Sequence, residues 1–195
     1  MALTQDKILA NTKKYFKTGE KYGFMTEELM NFLGQDFIKA PATNLTSLHN
    51  AFEGGLVDHS LRVTGYAIKL NDILPETMRV PLESLIKVSC LHQIGKSKLF
   101  VENTSQWHKD NQGKMYNYNE KLVSMSVGER SAHYAMTYGV KLNEEEYQAI
   151  INFTKDSTDK QAKFHSSRLA VLLRQAIELA VMEEQFNVVT ETVNE

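Results

Sequence analysis

Apolar positions recur at helical spacing through most of the chain. Between Thr4 and Lys17, Ile8, Leu9, Thr12, Tyr15 and Phe16 fall on one face. Thr26 is placed to cap a short helix carrying Leu29, Met30 and Leu33, and Gly34 to stop it. Residues 35–55, with Pro41 and Gly54-Gly55, read as loop. A long helix follows from Leu56 to about Leu74, closed by Pro75. Pro81 suits the first residue of the next, whose stripe of Leu82, Leu85, Ile86 and Ser89 runs to about Ile94. The period fails between Phe100 and Tyr118. There Asp110-Asn111-Gln112-Gly113 is a turn signal between Trp107 and Tyr116–Tyr118, predicting a small hairpin or an ordered loop. Helix resumes over Val127 to Tyr138 with Gly139 as its C-cap. Asn143 and Glu146 have capping-box spacing and open a helix through Phe153. Lys155 to Gln161 is polar loop. The last helix runs from about Phe164 to Glu184, with Leu169, Leu172, Leu173, Ala176, Ile177 and Ala180 at the 3.6 period. The sum is an all-α bundle of six to eight helices with one irregular excursion near 100–118.

Composition narrows the setting. The 195 residues suit a single domain, 1–195, and the formal charge of -2 gives no general electrostatic grip on nucleic acid. Of three prolines none follows Pro81, as long helices require. A single cysteine, Cys90, excludes an intramolecular disulfide; it lies in an apolar run and reads as a buried, inert thiol. The apolar run at the N-terminus is cut by Lys13, Lys14 and Lys17, and the longest apolar segment is broken by Arg174 and Glu178. The expectation is a soluble, cytoplasmic protein with no membrane association.

Two of the six histidines stand out by context. His59 lies one turn into the 56–74 helix and shares a face with Arg62 and Tyr66. His92 lies late in the next helix, with Gly95 and Lys96 following. Two helices can therefore bring two imidazoles and two cations to one pocket, although a helix histidine more often serves packing.

The segment His92-Gln93-Ile94-Gly95-Lys96 resembles the signature of the HD-domain metal-dependent phosphohydrolases, in which His-Asp precedes an apolar residue, Gly and Lys. Upstream, Ala40-Pro41-Ala42-Thr43 and the run from His49 through Gly54-Gly55-Leu56-Val57-Asp58-His59-Ser60-Leu61 resemble a phage and bacterial branch of that family. Gly128-Glu129-Arg130-Ser131 is similar to the branch's Gly-Glu-Lys-Ser, and Leu169 to Ala180 to its final helix. The likeness spans roughly residues 25–185, which would make 1–24 a helical extension and 186–195 a tail. It implies a divalent metal held by a His, a His-Asp pair and an Asp of the last helix, activating water toward a phosphoester.

The departures weigh as much as the match. His59 and His92 fit the first two ligand positions, but Gln93 stands at the Asp of the pair and Ile177 at the Asp of the last helix. Val127 and Phe153 stand where the branch carries accessory histidines. Two imidazoles and an amide give a hard dication no compensating charge. No metal cofactor is therefore expected, beyond weak binding of a borderline ion by His59 and His92. Asp58, Asp156 and Asp159 are the candidates for a replacement ligand; Glu178 points about 100° away from Ile177. What remains is cationic: Arg62, His92, Lys96 and Arg130 form a candidate anion site, unless Asp58 or Glu129 neutralises them. The resulting reading is a degenerate HD-like pseudoenzyme that binds a nucleotide-like anion or a protein partner, in a host cytoplasm if phage-encoded. Two alternatives stay open. One is an active phosphohydrolase with a remodelled metal site and His59 and His92 in catalysis. The other is a purely structural or interaction module, using the lysines of the first helix or the Trp107 excursion.

Overall fold

A computed structural model describes residues 2–154 and 166–193, with side chains of the last helix described to Phe186. Eight α-helices, among the described residues, build the bundle: α1 (Gln5–Lys21), α2 (Glu27–Lys39), α3 (Gly55–Ile73), α4 (Leu82–Leu91), α5 (Gln106–Gln112), α6 (Val127–Thr137), α7 (Glu144–Ile151) and α8 (Arg168–Val193). Two strands, β1 (Phe100–Glu102) and β2 (Tyr116–Tyr118), pair antiparallel with Phe100 opposite Tyr118. The all-α bundle and its small hairpin excursion are as the periodicity predicts.

Capping chemistry sets most helix starts. Thr4, Thr26, Ser105, Ser126 and Asn143 each accept a backbone N–H of the first turn. Ser126 with Glu129, and Asn143 with Glu146, close complete capping boxes. Helix α3 and α8 pack together at the centre with α4, burying Leu56, Val63, Leu85, Leu91, Leu169 and Leu173. Helix α1 joins this core through Tyr15, whose hydroxyl donates to Cys90 O at 2.9 Å. Cys90 itself is fully buried, and burial pushes its thiol up to about 12. No described helix is long and apolar enough to cross a membrane.

Four local expectations change. Gly34 kinks α2 rather than ending it, through a left-handed φ of 43°; the helix resumes because Phe37 has a core site to fill. Pro81 is the N-cap of α4 and not its first residue. His92 is the C-cap of α4, followed by a 3₁₀ turn over Ile94–Lys96. The Asp110–Gly113 signal marks the end of α5, where Gly113 adopts a left-handed C-cap. The polar stretch 155–161, with Asp156 and Asp159, lies outside the described residues.

The 3₁₀ turn is clamped against α6. Gly95 N donates to Ser131 Oγ at 2.9 Å, and that hydroxyl lies 2.9 Å from His92 O. A Cβ on Gly95 would stand 2.7 Å from Val127 O and 2.9 Å from Ser131 N, both backbone atoms that cannot swing aside. Gly95→Ala is therefore expected to destabilise the fold by about 1–3 kcal/mol, the cost of overpacking. The urea unfolding midpoint checks this, with a fall against wild type as the expected outcome.

Candidate functional site

The chain turns back on itself before α3. Asn50 takes a left-handed φ of 46°, and Gly54 one of 79°. A Cβ at Gly55 would stand 2.2 Å from Asn50 O, so only glycine lets α3 start against this loop. The Asn50 amide then reaches forward, donating to Asp58 Oδ2 and to Glu184 Oε1, each at 3.2 Å. His59, one turn into α3, is thereby fully buried against α8.

His59 Nδ1 lies 3.1 and 3.0 Å from the two oxygens of Glu184. Its Nε2 lies 3.3 Å from Gln93 Nε2, which fits a neutral imidazole protonated at Nδ1 and accepting the amide proton at Nε2. The ring of His49 stands 4.8 Å from that of His59, and the ring of His92 5.9 Å from it. His92 donates from Nδ1 to Ser89 O at 2.8 Å, and its ring meets Phe153 edge-on at 5.2 Å. Three atoms of this chamber are buried and unpartnered among the described residues: His49 Nε2, His92 Nε2 and Gln93 Oε1. One ligand atom each from His49, His59 and Glu184 fit within 4.8 Å of one another.

Burial dominates the electrostatics. It lowers His59 to about 3 and His49 to about 4, and takes His92 well below its ordinary range, so all three are neutral at pH 7. It raises Glu184 to about 7 and lowers Lys96 to about 8. Arg62 and Tyr66 share the His59 face as the spacing predicts, and both meet Glu183: the guanidinium by an ion pair, the phenol by a 2.7 Å hydrogen bond. Arg62 also pairs with Asp58 at 3.2 Å, and its Nε makes a 3.4 Å ion-pair contact with Glu184 without hydrogen-bond alignment.

The four predicted anion ligands divide. Lys96 and Arg130 line one cleft of about 480 Å³, with Thr43, Asn44, Tyr118 and Ser126. Lys96 donates to Ala42 O at 2.6 Å and Arg130 to Val123 O. Neither has a carboxylate within ion-pair distance among the described residues; Asp58 neutralises Arg62 instead, and Glu129 turns to cap α6. Arg62 and His92 do not line this cleft. The other candidate surfaces lie apart. Lys13, Lys14 and Lys17 are exposed along α1, and Trp107 is 60% exposed on α5.

The metal positions that the resemblance implies do not fit this chain. Gln93 presents an amide. Ile177 is not at the level of His59 and lines a separate groove with Glu178, Val181 and Phe186. The carboxylate that does reach His59 is Glu184, seven residues and about 10 Å further along the same face. The sequence signal for it is spacing: Glu184 continues Leu173, Ala176 and Ala180 on the buried stripe. A search of family models, curated proteins and solved structures finds nothing that matches the chain.

The chamber makes stability pH-dependent. The imidazoles have folded values below their ordinary 6.5, so the unfolded chain takes up protons first and their contribution is lost as pH falls from about 6.5 toward 4. Glu184 acts oppositely: its folded value of about 7 exceeds 4.5, so its contribution is present at acid pH and lost as pH rises through 7. Each group is worth at most about 1.4 kcal/mol per pH unit, and three imidazoles outweigh one carboxyl. Chemical unfolding should show a net loss of a few kcal/mol between pH 7 and pH 5, on the order set by this linkage. Glu184→Gln, lacking the offsetting group, should lose stability more steeply over the same interval.

Proposed function

We propose that the chain is a degenerate HD-like domain that binds a small phosphate-bearing anion, such as a nucleotide, without hydrolysing it. The observation that carries this reading is the pair Lys96 and Arg130. Two cations line one cleft, and both are satisfied only by backbone carbonyls. No described carboxylate lies within ion-pair distance of either cation, so a phosphate entering the cleft gains two charge-assisted contacts. Burial disfavours the Lys96 ammonium, and a bound phosphate beside it favours the charged form again.

Hydrolysis lacks its parts in that cleft. His59 and His92, the histidines that would move a proton, are fully buried elsewhere and do not line it. Gln93 replaces the carboxylate that the resemblance pairs with His92. The competing phosphohydrolase reading has one observation in its favour, the Glu184 carboxylate against His59.

Calorimetric titration with nucleoside monophosphates tests the proposal. Lys96→Ala and Arg130→Ala should each weaken binding about 10–100-fold, the range for a hydrogen bond to a charged group. Affinity should fall with added salt. Arg62→Ala should lower the unfolding midpoint and leave affinity unchanged, because its carboxylates already occupy it. Binding indifferent to Lys96 and Arg130 would move the site elsewhere. Mn²⁺-dependent phosphate release that disappears in Glu184→Gln would replace this reading with the phosphohydrolase one.

A further inference from the structure

We infer that His49, His59 and Glu184 form a binding site for one borderline transition-metal dication of the Zn²⁺ class. The set shares only His59 with the ligand positions implied by the sequence resemblance, and it stands independently of the anion cleft. Its geometry is largely assembled. A Glu184 oxygen is 3.0 Å from His59 Nδ1, and one ligand atom from each of the three residues lies within 4.8 Å of the others. Zinc–nitrogen and zinc–oxygen distances of about 2.0–2.2 Å place tetrahedral ligands about 3.3 Å apart. The His59–Glu184 pair is already at that spacing, and closing the widest gap takes roughly 1.5 Å of side-chain movement.

The second observation is what the site leaves unmade. His49 Nε2 is buried with no partner among the described residues, and so is Gln93 Oε1, whose amide touches His59. A buried nitrogen without a partner is costly, and a metal ion is the ligand that a neutral imidazole lone pair suits. On binding, the His59 proton moves from Nδ1 to Nε2, where the Gln93 amide turns its unpartnered Oε1 to accept it, so that a neutral imidazole coordinates through Nδ1 and Glu184 binds as the carboxylate.

The donor set chooses the ion. Two imidazoles and one carboxylate suit Zn²⁺, Ni²⁺ or Co²⁺, whereas Mg²⁺ and Ca²⁺ need mostly oxygen ligands. Arg62 and Lys96 add positive charge nearby, which the strong nitrogen bonds of a borderline ion must overcome. The ligands come from three separate segments: the loop before α3, α3 itself and α8. A bound ion therefore acts as a clamp across the bundle.

The test uses the full chain stripped with a chelator and titrated with Zn²⁺, Co²⁺ and Mg²⁺. Expected are one equivalent of Zn²⁺ bound, a melting temperature raised by roughly 5–10 °C at a hundredfold excess over Kd, and no response to Mg²⁺. Co²⁺ should give the visible absorption of a low-coordinate nitrogen and oxygen site. His49→Ala and Glu184→Gln should each weaken binding tenfold or more, while exposed His133→Ala should not. His49→Cys should restore binding and add a thiolate-to-Co²⁺ charge-transfer band, a signature that packing alone cannot produce and one readable even if His49→Ala misfolds. No Zn²⁺-dependent shift in the wild-type chain would overturn the inference, as would binding that survives both His49→Ala and Glu184→Gln. Neither result touches the anion cleft, which is read through Lys96 and Arg130.

Discussion

Glu184 is buried where α8 crosses the start of α3, and a carboxyl group withdrawn from water needs polar partners to be tolerated. Its contacts come from His59, from the amide of Asn50 and from the guanidinium of Arg62. Each of these has a second obligation. Asn50 holds Asp58, Asp58 takes the amide of Asn11 on α1, and Arg62 reaches Glu183. One buried carboxyl group thus ties α1, the loop before α3, α3 and α8 into a single polar network inside an otherwise apolar bundle. The loop cannot shift without leaving Asp58 and Glu184 short of a donor.

That network also decides where positive charge is available. Arg62 stands among three carboxylates and has little left to offer a ligand. Lys96 and Arg130, beyond the reach of ion pairing among the described residues, face a different cleft. The loop before α3 serves both places. Its His49 belongs to the histidine chamber, and its Thr43, Asn44 and Leu48 belong to the cleft.

The helices were legible because amphipathic spacing and capping residues are local. Thr26 and Asn143 act where the pattern places them, while the C-cap expected at Gly139 is Tyr138, with Gly139 following it at a left-handed φ of 86°. Gly34 misleads because a glycine signals freedom without saying whether the chain turns away or, as here, bends and returns for Phe37. The convergence of the His59 and His92 segments follows from their positions on neighbouring helices. Glu184 escapes the same reasoning for two physical reasons. A periodicity count follows apolar residues and stops at the first charge, although the stripe itself continues. The level at which α8 meets α3 depends on how two helices pack, which no spacing within one helix encodes, so Ile177 and Glu184, equivalent around the helix, cannot be told apart along it. The division of Arg62 from Lys96 and Arg130 has the same origin, since it rests on α8 bringing carboxylates within ion-pair distance of one cation and, among the described residues, not of the others.

The span of chain between the partners of this network bears on how the molecule reaches its native state. His59 and Glu184 are 125 residues apart, and Asn50 and Glu184 are 134. Contacts that distant are won only after a long loop is closed, and they slow folding relative to local helix formation. During synthesis the N-terminal helices emerge first and must wait for α8. Until it docks, Asp58, Arg62 and His59 remain hydrated along the open side of α3, and the apolar surface that α8 will cover stays exposed. Conditions that delay that docking expose the half-built bundle to aggregation, with the last helix as the piece that ends the risk.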